Sequence, residues 1–343
     1  MTRLNIDRTA KGWTIDRIVH FDFRSAQIVT DGFVHFGFHD KDGRLYALEH
    51  QKHFLGPVGA NDRLDWTLSP RSVFDGISNI RADINFPMYI DSMPDGTLVV
   101  SCFGNSQLYR VEPSKMKAEL FVDGKSLGMK HAGNCVVDNQ GYVWVNEIQG
   151  CKIWRFDQKG KTSLVLGNGT PGFQKDETSF DAARFSWIYD IRKGPDGNIY
   201  VLDSKNFAVR MIDLAAQRVR TLAGTGIGGY DGDGGSARLA TFGSDPTARF
   251  DGPISMSLDE DGNIFVGDRH NHVVRMIHHD SGLIETIAGR AIVNENSNNS
   301  KERDPRNLNL PKISSMDYYR GQLFVPTDLT SESGDLIVLR RTG

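Results

Sequence analysis

Short runs of alternating apolar and polar residues follow Asp-Gly turns along this chain. Residues 196–203 read Asp-Gly-Asn-Ile-Tyr-Val-Leu-Asp, and residues 261–268 read Asp-Gly-Asn-Ile-Phe-Val-Gly-Asp. An asparagine, Asn206 or Asn271, comes three residues later, and Val-Arg-Met-Ile follows in both copies. Asp-Gly favours a tight hairpin turn, and alternating β-branched and aromatic residues favour a strand. The two stretches therefore predict the same β-hairpin, used twice.

Weaker copies of this turn and strand occur four more times. They begin at Asp42, Asp95, Gln140 and Arg320. Another short apolar strand precedes each turn, and the longer units continue into a third and a fourth strand. Six consecutive four-stranded units predict an all-β fold, a six-bladed β-propeller that takes up residues 1–343 as a single domain. No unit has convincing helical periodicity, which argues against helical solenoids and parallel βαβ folds.

The two ends of the chain predict how the ring of blades closes. The last unit ends with its third strand, at residues 335–340, and so lacks a fourth. A strand at residues 13–21 precedes the first unit and has no place in it. We expect this N-terminal strand to complete the last blade, which would remove the exposed edges of an open sheet.

Composition and charge narrow the classes of partner. The 40 basic and 43 acidic side chains give a net charge of −3 without a basic stripe, so we expect no nucleic-acid partner. No stretch approaches the roughly 18 apolar residues needed to span a bilayer, so we expect no membrane partner. The N-terminus lacks an apolar signal region, which predicts a cytoplasmic protein, although a secreted protein stripped of its signal segment would look the same. Three cysteines in apolar segments, Cys102, Cys135 and Cys151, predict buried free thiols.

The linker at residues 222–242 has the most distinctive sequence pattern in the chain. It reads Leu-Ala-Gly-Thr-Gly-Ile-Gly-Gly-Tyr-Asp-Gly-Asp-Gly-Gly-Ser-Ala-Arg-Leu-Ala-Thr-Phe, and degenerate versions begin at Leu166 and Ile287. This linker closely resembles the blade-connecting loops of bacterial NHL-repeat proteins. The resemblance implies a six-bladed propeller. A chain of this kind is similar to the superfamily of gluconolactonase and senescence-marker protein, which are calcium-dependent lactonases. Lyases and non-catalytic binding modules share this architecture, so the site must be argued separately.

Equivalent positions in successive units identify candidate metal ligands near the axis. Seven residues before the turn glycine stand Phe36, Tyr89, Asn134, Asp190 and Ser255 in the first five units, and Ile313 or Ser314 in the last. An amide oxygen and a carboxylate suit hard cations, so Asn134 and Asp190 are candidate ligands for a divalent cation, Ca²⁺ in preference to Mg²⁺ or Zn²⁺. Glu147 is a third candidate, because its unit lacks the usual Asp and Asn. The alternative is that Asn134 and Asp190 only satisfy strand N–H groups.

The resemblance also implies how such a site would work. In calcium-dependent propeller lactonases an Asn and an Asp of inner strands, with a Glu of the first blade, hold the ion, which polarises the lactone carbonyl. The Glu-Gly-Pro motif that supplies this first-blade ligand is absent here.

Three functions remain open at this stage. The leading hypothesis is a metal-dependent, lactonase-like hydrolase of a small polar or carbohydrate-like substrate, in which His131 or Asp251 activates water. The second is a metal-dependent lyase, in which Tyr89, Tyr189, His131 or Lys312 abstracts a proton beside a carbonyl or carboxylate. The third is a non-catalytic binding module that holds a protein or a glycan.

Two further sets of repeated residues are expected to be structural. Asp203 and Asp268, each followed by an asparagine, are predicted to accept backbone N–H groups of the next turn. The recurring arginines are predicted to form ion pairs at blade edges, which contribute little at the surface. These arginines are Arg110, Arg155, Arg210 and Arg275.

Overall fold

The structure is a computed structural model of the whole chain. It describes residues 12–22, 34–39, 45–49, 53–57, 87–112, 117–244, 252–290, 304–310, 313, 315–327 and 333–342. Within these residues the chain is almost entirely β-structure, with short 3₁₀ turns at Ser204–Asn206, Ala237–Leu239 and Pro305–Asn307. No helix among them is long and apolar enough to cross a membrane.

The strands form antiparallel sheets that follow one another along the chain. The first sheet consists of β2 (Val34–His39), β3 (Leu45–Glu49) and β4 (His53–Pro57). The second consists of β5 (Pro87–Ser92), β6 (Leu98–Cys102), β7 (Gln107–Glu112) and β8 (Lys117–Asp123). The third consists of β9 (Ala132–Val137), β10 (Val143–Glu147), β11 (Lys152–Phe156) and β12 (Thr162–Leu166).

The remaining strands form three more sheets. The fourth contains β13 (Thr178–Ser179), β14 (Ile188–Lys193), β15 (Ile199–Asp203), β16 (Ala208–Asp213) and β17 (Arg218–Ala223). The fifth contains β18 (Pro253–Leu258), β19 (Ile264–Asp268), β20 (Val273–Ile277) and β21 (Ile284–Gly289). The last contains β22 (Asp317–Tyr319), β23 (Gln322–Thr327), β24 (Ser333–Arg341) and β1 (Trp13–Asp22).

The all-β propeller fold is confirmed, but the predicted number of complete blades is wrong. Among the described residues, five sheets contain the four strands of a blade, one of them with the additional short strand β13, so five complete blades are seen and not six. The sheet β2–β4 has three strands, and it contacts the inner strands β5 and β22 on either side of it. A fourth strand of this unit would fall between β4 and β5, where residues 58–86 lie outside the described part of the chain. The first unit is also the one whose repeat is weakest in sequence.

The predicted closure of the last blade is confirmed. β1 pairs antiparallel with β24 over its whole length, from Trp13 opposite Arg341 to Asp22 opposite Ser333. The Trp13 side chain is buried, and its ring meets that of Phe265 edge-on at a centroid distance of 5.3 Å. Both ends of the chain are therefore held in one sheet.

The apolar core lies between neighbouring blades. Each buried cluster joins residues of two successive sheets, for example Val136 and Trp144 of one with Ile191 and Val201 of the next. Because every blade presents both faces to a neighbour, its strands read as nearly continuous buried runs, as in β9 and β10. Burial of each such side chain stabilises the fold by about 1.5–3 kcal/mol. The inner strands that carry the candidate site are thus held in place from both sides.

A β-bulge recurs at one place in four blades. The pairing of first and second strands shifts between Pro87 and Tyr89, between Ile188 and Asp190, and between Pro253 and Ser255. In the blade β9–β12 the shift lies opposite the segment from Ala132 to Cys135. A bulge re-aims the side chains beside it. In these four blades the side chains at this place are therefore re-aimed in the same way.

Candidate functional site

Asn134 and Asp190 come together near the axis. They occupy the same position beside the bulge in the neighbouring blades β9–β12 and β13–β17. The Asn134 Nδ2 donates to Asp190 Oδ1 at 2.6 Å, and the two side chains are 8% and 1% exposed. Their predicted proximity is therefore present, although the contact is a direct hydrogen bond between them.

The other oxygen of Asp190 also has partners within the protein. Oδ2 accepts the backbone N–H of Met256 in the next blade at 2.8 Å. It also lies 3.1 Å from Nη2 of Arg192. Burial raises the pKa of Asp190 to about 6, and the Arg192 charge opposes that rise. The positive charge that balances Asp190 is thus supplied by an arginine two residues along the same strand.

The Arg192 side chain reaches across the central channel. Its Nε donates to the Met256 carbonyl at 2.7 Å, and its Nη2 donates to the Met316 carbonyl at 3.2 Å. Its guanidinium lies over the Tyr89 ring, 4.4 Å from the centroid. Since Arg192 is only 6% exposed, one buried cation links four different sheets. No repeated motif marks this role, because the positions that match Arg192 in the flanking blades hold Val136 and Ser257.

These contacts are a poor fit to the calcium ion that the family resemblance implies. Both oxygens of Asp190 accept hydrogen bonds, and Asn134 turns an N–H donor toward the carboxylate. A guanidinium also stands where a metal ion would have to approach Asp190. In the described part of the chain, no three His, Cys, Asp or Glu side chains are grouped so as to hold a metal ion. The alternative interpretation, that the pair satisfies strand N–H groups, describes the Asp190–Met256 contact.

Other polar side chains connect inner strands in the same way. Asp91 Oδ2 accepts the N–H of Val137 at 2.7 Å, and Ser257 Oγ accepts the N–H of Tyr318 at 2.9 Å. The inner strand is the edge of its blade, so its outward backbone groups need partners that no further strand supplies. Side chains of the preceding blade provide these partners. Polar residues near the axis are therefore explained first as connections between blades.

Glu147 lies apart from this network and has a different role. It is buried at the end of β10 and accepts a hydrogen bond from the Trp154 indole N–H. In the next blade the equivalent positions are held by Asp203 and Arg210, which form an ion pair at 3.2 Å. Glu147 and Trp154 therefore replace an aspartate–arginine pair. The prediction that Glu147 joins Asn134 and Asp190 as a metal ligand finds no support in this geometry.

Asp203 and Asp268 have the structural role that the sequence predicts. Each carboxylate accepts the side-chain amide of the asparagine three residues later, Asn206 or Asn271. Each also accepts a backbone N–H, from Ser186 or Gly243. The Ser186 and Gly243 N–H groups belong to the linker before each blade, and the asparagine amides belong to the turn after the second strand. The carboxylates therefore join the linker to this turn.

The prediction of surface ion pairs is confirmed for one of the four recurring arginines. Within the described residues Arg155 forms no ion pair, and its Nε donates to Ser163 Oγ at 2.9 Å. Arg110 pairs with Asp95 at the surface as expected. Arg210 and Arg275 are fully buried, because they lie one position earlier in the third strand than Arg110 and Arg155 and so face the opposite way.

Arg275 clamps the glycine-rich linker. Its Nε and Nη2 donate to Asp233 Oδ1 at 3.0 and 2.7 Å. Nη1 and Nη2 also donate to the carbonyls of Thr241 and Asp231, and the guanidinium lies over the rings of Tyr230 and Phe242. The distinctive linker sequence thus folds around an arginine of the third strand.

Two strained residues mark the mouth of the channel at which the inner strands begin. His131 and Trp187 come directly before β9 and β14, with φ angles of 57° and 50°. The residue at this place before β18 is Gly252, with a φ of 104°. A left-handed backbone costs a non-glycine residue roughly 1–2 kcal/mol, and such strain tends to persist at functional sites. The two large rings are therefore retained where glycine would relieve the strain.

Aromatic and cationic side chains surround these two residues, and we call the group the rim. Its members are Phe103, His131, Trp187, Tyr189 and Arg269, all partly buried. The rings of Phe103 and His131 stack at 4.3 Å, and those of Trp187 and Tyr189 lie 6.2 Å apart. Phe103 and Arg269 each directly follow a second strand, and second strands end beside the start of the inner ones. The Lys205 ammonium lies 5.9 Å from the Trp187 ring centroid.

The structure places the predicted catalytic residues in different parts of the molecule. His131 and Tyr189 lie at the rim, whereas Tyr89 packs beneath Arg192 and has its pKa raised by burial. Asp251 and Lys312 lie outside the described residues. Sequence comparison missed Trp187 and Arg269, because it followed columns within strands and these residues stand immediately outside them.

The comparisons with known proteins support the fold more than a function. The chain matches no protein-family model. Protein SUPPRESSOR OF QUENCHING 1, chloroplastic, from Arabidopsis thaliana is 35% identical over 148 residues, which are 41% of this chain and 13% of that protein. The chain thus matches a small part of a much longer relative.

Two solved structures show where the fold recurs. An auxiliary nutrient binding protein from Bacteroides ovatus has a TM-score of 0.62 at 12% identity, over 96% of this chain and 77% of that one. A virginiamycin B lyase from Staphylococcus aureus, an inactive variant crystallised with quinupristin, has a TM-score of 0.53 at 10% identity, over 89% and 80%. At such identities the likeness shows the β-propeller fold alone. Membership of the gluconolactonase superfamily stays a prediction.

Proposed function

We propose that this protein is a binding module that holds a small organic molecule at the rim. The observation that carries the proposal is the pair of left-handed residues, His131 and Trp187, at equivalent places on adjacent blades. Aromatic faces bury much area with little loss of side-chain freedom, and a concave mouth with a few polar groups is typical of ligand sites. The rim offers both within a scaffold fixed on either side by packed blades.

The inner network favours binding over metal-dependent hydrolysis. The lactonase hypothesis requires Asn134 and Asp190 to present oxygens to a cation, whereas here they contact each other, Met256 and Arg192. The hydrolase and the lyase stay predictions. If the purified protein contained one calcium ion per molecule, and Asn134→Ala contained none, the proposal of a metal-free site would be contradicted. Acid release from glucono-1,5-lactone would favour the hydrolase.

The structural neighbours are compatible with this proposal. Their names describe a nutrient binding protein and a lyase, so the same fold serves both for binding and for catalysis. Neither name assigns a ligand to this chain. The lyase keeps second place, because His131 and Tyr189 share the rim with Arg269 and could act on a bound ligand.

Titration calorimetry with four probes tests the proposed site. The probes are benzoate, benzamide, glucuronate and glucose. We expect saturable binding of at least one probe, weakened about tenfold by Trp187→Ala through loss of the stacking face. Tyr142→Ala is a matched control, since Tyr142 also lies beneath a cation, Arg155 at 4.7 Å, but beside the turn at the opposite end of the blade.

His131→Gly separates binding from folding. Glycine relieves the left-handed strain, so this variant should unfold at a temperature no more than slightly below the wild type while losing affinity. Equal affinity in Trp187→Ala, His131→Gly and the wild type would place the ligand elsewhere and contradict the proposal.

A further inference from the structure

Three buried arginines of the propeller each have a carboxylate partner. Arg192 lies 3.1 Å from Asp190, Arg210 lies 3.2 Å from Asp203, and Arg275 lies 2.7 Å from Asp233. A buried guanidinium without such a partner is costly, so this pairing is what physical chemistry requires. The three pairs define the usual state of a buried arginine in this protein.

Arg269 departs from that rule. Its Nη1 donates to the Ile313 carbonyl at 3.0 Å, and it forms no ion pair with a carboxylate of the described residues. Burial lowers the pKa of Arg269, and the neighbouring Tyr189 hydroxyl opposes the change only in part. Arg269 is therefore a partly desolvated cation whose charge no acidic side chain of the described residues balances.

The surroundings of Arg269 hold its guanidinium at the rim. It directly follows β19, at the rim, where Tyr189 and Trp187 of the preceding blade present their rings. One guanidinium nitrogen is used on the Ile313 carbonyl, which fixes the side chain. A planar guanidinium held in this way has further N–H groups in the fork geometry that matches a carboxylate.

We propose that Arg269 binds the anionic group of the rim ligand, so that the ligand class is a small organic anion, a carboxylate with a flat face that stacks on Trp187. Lys205, whose ammonium already lies over Trp187, adds a second positive charge to the same place. This inference rests on the proposed binding function and specifies its ligand chemistry.

Isosteric probe pairs test the selection of an anion. Benzoate and benzamide differ in charge and little in shape, and glucuronate and glucose provide a second pair. In at least one pair we expect the anion to bind about tenfold or more tightly, since hydrogen bonds to a charged group are the stronger ones. Arg269→Met should abolish this preference, and Arg269→Lys should keep part of it. Raising the salt concentration should weaken the binding of the anionic probe and leave that of its neutral partner unchanged.

The controls separate this proposal from the general one. Arg155→Met removes a cation that lies over Tyr142 and Trp144, away from the rim, and should leave the preference unchanged. Arg269→Met also loses the Ile313 contact, so its melting temperature is measured in parallel; a purely structural role would lower that temperature and spare the preference. Anion and neutral probes that bind equally well, both weakened by Trp187→Ala, would overturn anion selection and leave rim binding intact. Absence of binding by all four probes up to about 50 mM would overturn both proposals.

Discussion

At the scale of single residues, the centre of the propeller is organised by one arginine. Arg192 joins an aspartate of its own strand, two carbonyls of later blades and a tyrosine ring of an earlier one. The sequence predicted that Asn134 and Asp190 would meet, because repeat positions can be aligned. It could not predict that Arg192 would neutralise Asp190, since this depends on how far one side chain reaches across the axis. In the structure Asn134 and Asp190 connect blades, and their assignment as metal ligands stays a prediction.

Replacement of Arg192 should be strongly destabilising. Arg192→Met leaves Asp190 buried without its counter-charge, and loss of one partner of a buried pair costs about 3–5 kcal/mol. Urea unfolding at neutral pH measures this cost. The exposed pair provides the control: Arg110→Met removes a cation from Asp95, and surface pairs are worth about 0–1 kcal/mol. Adding Asp190→Asn to Arg192→Met should restore part of the lost stability. Equal losses of unfolding free energy in Arg192→Met and Arg110→Met would show that the central contacts stabilise the fold no more than a surface ion pair does.

At the scale of elements, the Gly-rich linker packs around the third strand of the blade that follows it. The Gly-rich linker at residues 222–242 was the most specific sequence signal, yet its partner Arg275 was assigned to the surface. A shift of one position along a strand reverses the side-chain face. Arg155 and Arg275 therefore look alike in sequence, but Arg155 is partly exposed and Arg275 is fully buried. The same comparison explains Glu147, which looked irregular until its counterpart Asp203 and their partners were placed in register.

Arg275→Lys should loosen this linker more than the rest of the fold. Lysine keeps the charge but cannot donate at once to Asp233, Thr241 and Asp231. We expect a loss of about 2–4 kcal/mol, with faster trypsin cleavage after Arg238, whose side chain is about half exposed. Mass spectrometry of timed digests identifies the cleavage site. Arg155→Lys, in the third strand of the blade β9–β12, is the matched control. Cleavage rates at Arg238 that are equal in the two variants would contradict the clamp.

At the scale of the whole molecule, the repeats predicted more than the site did. The antiparallel blades, their order and the pairing of the two chain ends all follow from local hairpin signals and a count of strands, and they are confirmed. The predicted sixth complete blade depended on the least similar copy, beginning at Asp42, and only three of its strands are described. Trp187 and Arg269 of the rim escaped prediction because they lie immediately outside strands, where no periodic pattern indicates which way a side chain points.

Closure of the ring is the property of the whole molecule that a single change can test. Deletion of residues 1–22 removes β1 and exposes β24 as an edge strand that can pair with other chains. It also removes Trp13 and Ile15 from the cluster that holds the last two blades together. We expect the shortened chain to aggregate or to melt at a much lower temperature, as measured by size-exclusion chromatography and thermal unfolding. Deletion of residues 1–11 keeps β1 and is the control. Because β1 pairs with β24 along its whole length, an unchanged melting temperature after the longer deletion is incompatible with a fold that depends on this closure.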